Sequence, residues 1–420
     1  MSIPAPTATD VTAPTLDLDF VRRQFPAFSE PTLREQAFFE NAGGSYLCRP
    51  VIERLETYHR RLRLQPYYAY PASTEAGAWM DAAHERLAFY LGVGADELHF
   101  GPSTSQNSYV LAQAFRKLLK PGDEIVVSQQ EHEANSGAWR RLSADGVAVR
   151  EWAVDRERGL LDPDALDALL NERTRLVAFT HCSNLIGAIN PVAAITAKVR
   201  AAGALSLVDG VAYAPHGLPD VRALGADLYL FSLYKTYGPH QGLMVVRSAV
   251  LERLGNEGHS FNAAYPRKRL VPAGPDHAQI AAARGVAEYF DALDAHHGGS
   301  DDAGRPQRVR ALLRAAEQPL LVDLLQALSS RRDLRVLGTI DATARAATVS
   351  IVPLHVAPAE LIPRLAAQGV LAAAGHFYAV RLLEALGLDP ARGVLRLSFL
   401  HYTSREDIQR LIAALDRALS

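Results

Sequence analysis

The sequence predicts an α/β protein followed by a smaller α+β unit, and three observations carry that prediction. Between residues 76 and 247, short continuously apolar runs alternate with stretches of helical periodicity, the pattern of a mostly parallel sheet covered on both faces. A Gly/Pro/Asp-rich stretch, HHGGSDDAGRP, then breaks the series, as expected of a boundary between domains. Finally, 420 residues with 48% hydrophobic content are enough for two domains with cores of their own.

The elements follow in order. The first fifteen residues, MSIPAPTATDVTAPT, read as a disordered tail without the cationic start and apolar run of a signal peptide. Residues 16–35 form an N-terminal segment in which LDLDFVRRQFPAF has helical spacing, and AFFENAGG is a short strand entering a glycine turn. Within a larger domain at 36–296, AWMDAAHERLAFYLGV is a helix, ELHF a strand, NSYVLAQAFRKLLK a helix and EIVVS a strand. ANSGAWRRLSADG is read as a helix, AVREWAV as a strand, DPDALDALLN as a capped helix and RLVAFTH as a buried strand. AAITAKVRAAG is a helix, and ALSLVDG, ADLYLFS and GLMVVR are strands. HAQIAAARGVAEYFDALDA is a helix before the boundary. The smaller domain, 304–420, opens with helical QRVRALLRAAEQPLLVDLLQALSS, has strands DLRVLG, TVSIVPL and VLRLSFL, and closes on the helix EDIQRLIAALDRALS.

The 44 basic and 46 acidic residues give a net charge of −2, which offers no footprint for nucleic acid and leaves a small molecule as the expected partner. Two cysteines, Cys48 and Cys182, are too few for a disulfide framework or a zinc cluster and suit the cytoplasm. No apolar run is long enough to span a membrane, and no residue pattern points to a metal.

In an open parallel sheet, ligands bind past the carboxyl ends of the strands. Five such ends carry polar residues here. GPSTSQN places Ser103, Thr104 and Ser105 at a helix start, where backbone N–H groups suit a phosphate; Ser103 or Ser105 also reads as a plain N-cap. QQEHEAN puts His132 where an imidazole can lie against a flat ring, and HCSNLIGAINP puts Asn184 where an amide can reach a phenolic oxygen. Asp209 ends the apolar run ALSLVD, a costly place for a carboxylate without a cation. In FSLYKTYGPHQG, Ser232 and Lys235 follow the last of these strands, and a lysine buried among aromatic groups becomes a nucleophile toward an aldehyde. Pyridoxal 5'-phosphate uses all five: a lysine, a carboxylate for its ring nitrogen, a stacked ring, a donor to its 3′ oxygen and a phosphate cup.

The series GPSTSQNS, SQQEHEAN, HCSNLIGAINP, LVDGVAYAPHG and FSLYKTYGPHQG resembles the class V aminotransferase family of fold-type I enzymes, in its cysteine desulfurase-like branch. The resemblance runs from about residue 20 to residue 415. It implies a large domain on a mostly parallel seven-stranded sheet flanked by helices, and a homodimer with shared active sites. By the same resemblance Lys235 holds the cofactor, Asp209 pairs with its ring nitrogen, His132 stacks on it, Asn184 reaches its 3′ oxygen, and Thr104, Ser105 and Ser232 bind its phosphate. Ser103 and Tyr234 join the cofactor set. Arg396, in VLRLSFLHY, matches the arginine that receives a substrate α-carboxylate, its plain alternative being a surface arginine. Asn41, His376 and Tyr378 complete the substrate side.

Several positions depart from the family pattern. The loop VLAAAGHFYAV keeps Gly375 and His376, but Tyr378 stands where desulfurases carry the sulfur-accepting cysteine and Ala373 where they carry an arginine. Tyr234 replaces the histidine before the lysine, and Ala212 replaces a cofactor-contacting Gln or His. AGPD, residues 273–276, replaces the neighbour-subunit motif Ala-Gly-Thr-Pro, with Arg267, Lys268 and Arg269 nearby as alternative charge. The expected reaction deprotonates Cα of an amino acid bound as an external aldimine and breaks a Cβ–S or other Cβ–heteroatom bond without a protein persulfide. Aminotransfer, kynureninase-like hydrolysis and epimerisation are the alternatives, and an idle cofactor-binding protein is a remote one.

Overall fold

The computed structural model describes residues 15–420. The expectation of a tail over residues 1–15 therefore lies, except for Thr15, outside the described residues. The larger unit is built on a seven-stranded sheet whose strands stand in the order Leu98–Gly101, Gly242–Val246, Leu228–Ser232, Leu205–Asp209, Thr174–Thr180, Glu124–Ser128 and Ala148–Trp152. Six strands run the same way and Gly242–Val246 runs against both of its neighbours. The central strands are buried along their length, which is why their sequences are continuously apolar rather than alternating. Separate cores cover the two faces. One holds Phe115, Trp139 and Met244, and the other holds Phe179, Phe231, Tyr237 and Phe290.

The smaller unit is a four-stranded antiparallel sheet in the order Ala373–Gly375, Val394–Ser398, Thr348–Pro353, Leu334–Val336. The helices Arg305–Ser329, Pro358–Ala366 and Arg405–Leu419 pack on it around a core of its own. Ala37–Phe38, expected to open the larger domain, pairs in parallel with Val370–Leu371, and Phe39 lies in the small-unit core.

The predicted strands all form, whereas the helix read over NSYVLAQAFRKLLK ends at Phe115, LDLDFVRRQFPAF splits into Leu18–Arg23 and the 3-10 turn Pro26–Ser29, and two further helices differ more. ANSGAWRRLSADG folds as Gly137–Arg140 flanked by the 3-10 turns Glu133–Asn135 and Arg141–Asp145; His132 caps the first turn by accepting from Ala134 N, and Gly146 in the left-handed region ends the last. DPDALDALLN yields only the 3-10 turn Ala165–Ala168. Residues 49–57, 358–366 and 380–385 form helices that periodicity did not pick out.

Candidate active site

The five strand ends meet in one cleft, lined among others by Ser103, Thr104, Ser105, His132, Asn184, Asp209, Ser232, Tyr234 and Lys235. Parallel strands bring this about: residues far apart in sequence emerge on the same edge of the sheet.

The cup at one side is made by the helix Thr104–Phe115 and the end of Leu228–Ser232. Ser103 caps that helix by accepting from Gln106 N at 3.2 Å, so its hydroxyl is already engaged. The Thr104 and Ser232 hydroxyls lie 2.8 Å apart, while Ser105 is exposed in the first turn. Gly242 allows this approach, because a Cβ there would overlap the backbone C of Ser103 and N of Thr104.

His132 is half-buried, and the Ala134 N–H donates to its Nδ1 at 3.0 Å, leaving Nε2 as the protonated nitrogen. Burial, then the charges of Lys235 and Arg396, push its pKa down to about 3, so it is a neutral flat ring. Asp209 accepts from Val211 N at 2.8 Å and is otherwise buried in a site that raises its pKa to about 6. Glu131, held by Ser128 and by Asn135 at 2.7 Å, is raised to about 8 by burial and then by Asp209. The Asp209 carboxyl, buried with only Val211 N bonded to it, calls for a cation at its free oxygen. Lys235 is lowered to about 8, chiefly by burial and next by Arg396; its Nζ lies 5.8 Å from the Tyr234 ring, which stacks on His240 at 4.6 Å.

The substrate side is more occupied than the sequence implies. Asn184 gives its Nδ2 to Phe377 O at 2.8 Å, while its buried Oδ1 has no partner. Arg396 is buried with Nη1 on Asn184 O at 3.1 Å, Nη2 on Glu40 Oε1 at 2.6 Å and its guanidinium 3.8 Å over the Phe377 ring. It is thus no surface arginine, but its charge already has a carboxylate partner. Asn41 ties the N-terminal turn to Ser398 and Tyr402 with both ends of its amide. His376 is exposed, with Tyr378 N donating to its Nδ1 at 3.0 Å. Phe377 and Tyr378 both have positive φ, 48° and 58°, a strained pair. It is held because Tyr378 O accepts from Glu133 N at 2.8 Å and the Tyr378 ring sits 5.0 Å from His132.

Cys182 lines the cleft, yet it is buried, bonded to Gly187 O at 3.3 Å, and its thiol is pushed up to about 12 by burial. Cys48 is buried likewise and also raised to about 12. The two arginines of the basic run are spoken for: Arg267 pairs with Asp81 at 2.9 Å and Asp96 at 2.8 Å, and Arg269 holds Leu254 O, while Lys268 lies over the Tyr265 ring. Asp276 of AGPD caps the helix His277–His296. Sequence reasoning passed over Glu40, Phe377 and Glu131. The first stood one residue before Asn41 in ENAGG, where a carboxylate at a strand end was a usable signal.

The profile of the class-V aminotransferases matches residues 37–297 and 307–411. The chain belongs to this family. An aminotransferase-like protein, FGM3, of Gibberella zeae is 35% identical over 417 residues, covering 96% of this chain and 99% of that protein. A probable cysteine desulfurase of Pseudomonas aeruginosa is 31% identical over 403 residues, covering 95% and 97%. The solved cysteine desulfurase CsdA of Escherichia coli superposes with a TM-score of 0.81 at 24% identity, covering 96% of this chain and 99% of its own, which shows the fold. This class-V protein is therefore a pyridoxal phosphate-dependent enzyme of fold-type I. The residues present fit the cofactor: a hydroxyl pair at a helix start, a neutral histidine ring, a carboxyl lacking a cation and a lysine of depressed pKa converge on one cleft, although the Asn184 amide donor is engaged by Phe377 O. Among the described residues no helix is long and apolar enough to cross a membrane, and no cluster of three or more His, Cys, Asp or Glu could hold a metal.

Proposed function

We propose that this enzyme takes an α-amino acid, removes its Cα proton with Lys235 and expels a β-substituent, acting as a Cβ–S or other Cβ–heteroatom lyase without a protein persulfide. Bound pyridoxal phosphate supplies an electron sink for the carbanion at Cα. Asp209 favours a protonated ring nitrogen, and His132, neutral and fixed through Nδ1, offers a face for the ring. Thr104 and Ser232 are placed for the phosphate. Lys235, with a pKa near 8, suits proton transfer close to neutral pH. Phe377 under the Arg396 guanidinium and Tyr378 beside His132 narrow the substrate side.

The observation that carries this reading is the state of the thiols. A persulfide acceptor must attack as a thiolate, and the chain has only Cys48 and Cys182, both buried with pKa pushed to about 12. Sulfur expelled here leaves as a free product. Similarity to the aminotransferase-like protein of Gibberella zeae favours transamination as the second reading. A homodimer in the cytoplasm completes the proposal, the dimer supported by the exposed aromatic residues Tyr67 and Tyr265, which line one groove. A panel of L-amino acids assayed for pyruvate, ammonia and sulfide, with keto-acid acceptors in parallel, tests the reaction. Keto-acid-dependent amino transfer without β-elimination would replace the lyase reading.

A further inference from the structure

Arg396 is a buried cation at the substrate side, 3% exposed in its side chain, and its one carboxylate partner is internal: Glu40 Oε1 at 2.6 Å from Nη2. Its Nε is buried and has no hydrogen-bond partner. Glu40 is 26% exposed, so the carboxylate, unlike the guanidinium, has a route to water. The seat is built. A Cβ at Gly43 would lie 2.6 Å from Glu40 Oε1 and overlap its partner oxygen, while Gly43 N holds Glu40 O at 3.0 Å. Glu40 acts electrostatically on Lys235 as well as on Arg396, so its charge belongs to the active site.

An incoming α-carboxylate would set two anions against one buried cation, an arrangement that low dielectric makes unfavourable. We infer that Glu40 is the resting occupant of the carboxylate seat on Arg396 and a specificity-determining residue, which the substrate carboxylate must displace. This rests on the proposed amino-acid chemistry and deepens it. A carboxylate substrate exchanges one ion pair for another and gains little net affinity from Arg396. An amine without a carboxylate leaves the internal pair intact.

The test follows the absorbance band of the holoenzyme on titration with L-alanine and with ethylamine, in wild type and Glu40→Gln. L-alanine should bind about tenfold more tightly to the variant, with ethylamine changed less than about threefold. Unchanged or weaker L-alanine binding overturns the inference and makes Glu40 a residue that merely orients Arg396. A band that responds to neither ligand counts against the amino-acid chemistry itself, and the seat is then decided by melting temperature. Acetate should raise that of Glu40→Ala by about 2 °C or more and leave wild type unmoved; equal effects on both proteins overturn the assignment.

Discussion

Asp209→Asn separates what the cofactor needs from what the fold tolerates. Asp209 is buried and its pKa rises from 3.8 to about 6, chiefly through desolvation. At about 1.4 kcal/mol per pH unit, the rise corresponds to about 3 kcal/mol against the ionised form in the cofactor-free chain. Between these values the folded chain holds a proton that the unfolded chain has released. The contribution to stability is therefore complete below pH 3.8 and lost as pH rises through about 6. The asparagine variant avoids this loss and keeps an oxygen for Val211 N. Urea denaturation of cofactor-free protein should show the variant gaining on wild type by about 1.4 kcal/mol between pH 5 and pH 7.5. Bound cofactor should reverse the ranking, since its ring cation satisfies the carboxylate, and turnover of the variant should fall about 100-fold or more. A stability difference flat across this pH range would show that Asp209 is not strained by burial. Near-normal turnover would remove it from the catalytic set.

Borohydride reduction of the holoenzyme should fix the cofactor on Lys235, and a label on Lys120 or Lys198 would discard that assignment. With the amine lowered to about 8, covalent uptake of cofactor by the cofactor-free protein should quicken up to about pH 8 and then level; a rise continuing toward pH 10 contradicts the burial argument. After incubation with L-cysteine, alkylation and mass spectrometry should find no persulfide on Cys48 or Cys182 forming at the rate of turnover. Gly242→Ala should destabilise the protein by about 1–3 kcal/mol and weaken cofactor binding, because its Cβ would press on the Ser103–Thr104 backbone; wild-type affinity in this variant would mean the cup adjusts freely.

The sequence alone determined the strands and the residues at their ends. Continuous apolar runs such as LYLF and LVAF need no partner to be recognised, and a parallel sheet sends Thr104, His132, Asn184, Asp209 and Lys235 to one edge whatever the details. Helices were less legible where a side chain bonds the backbone of its own turn: His132 accepts from Ala134 N, and the segment after it folds as short turns. Tertiary structure alone decided how the substrate side is filled. Glu40 meets Arg396 across 356 residues, and Asn184 meets Phe377 across 193. Such contacts depend on the smaller unit packing over the strand ends, and on a loop held with positive φ at Phe377 and Tyr378. No local periodicity encodes either, because ion pairs between distant segments form only after the packing of both domain cores has fixed where their side chains can reach.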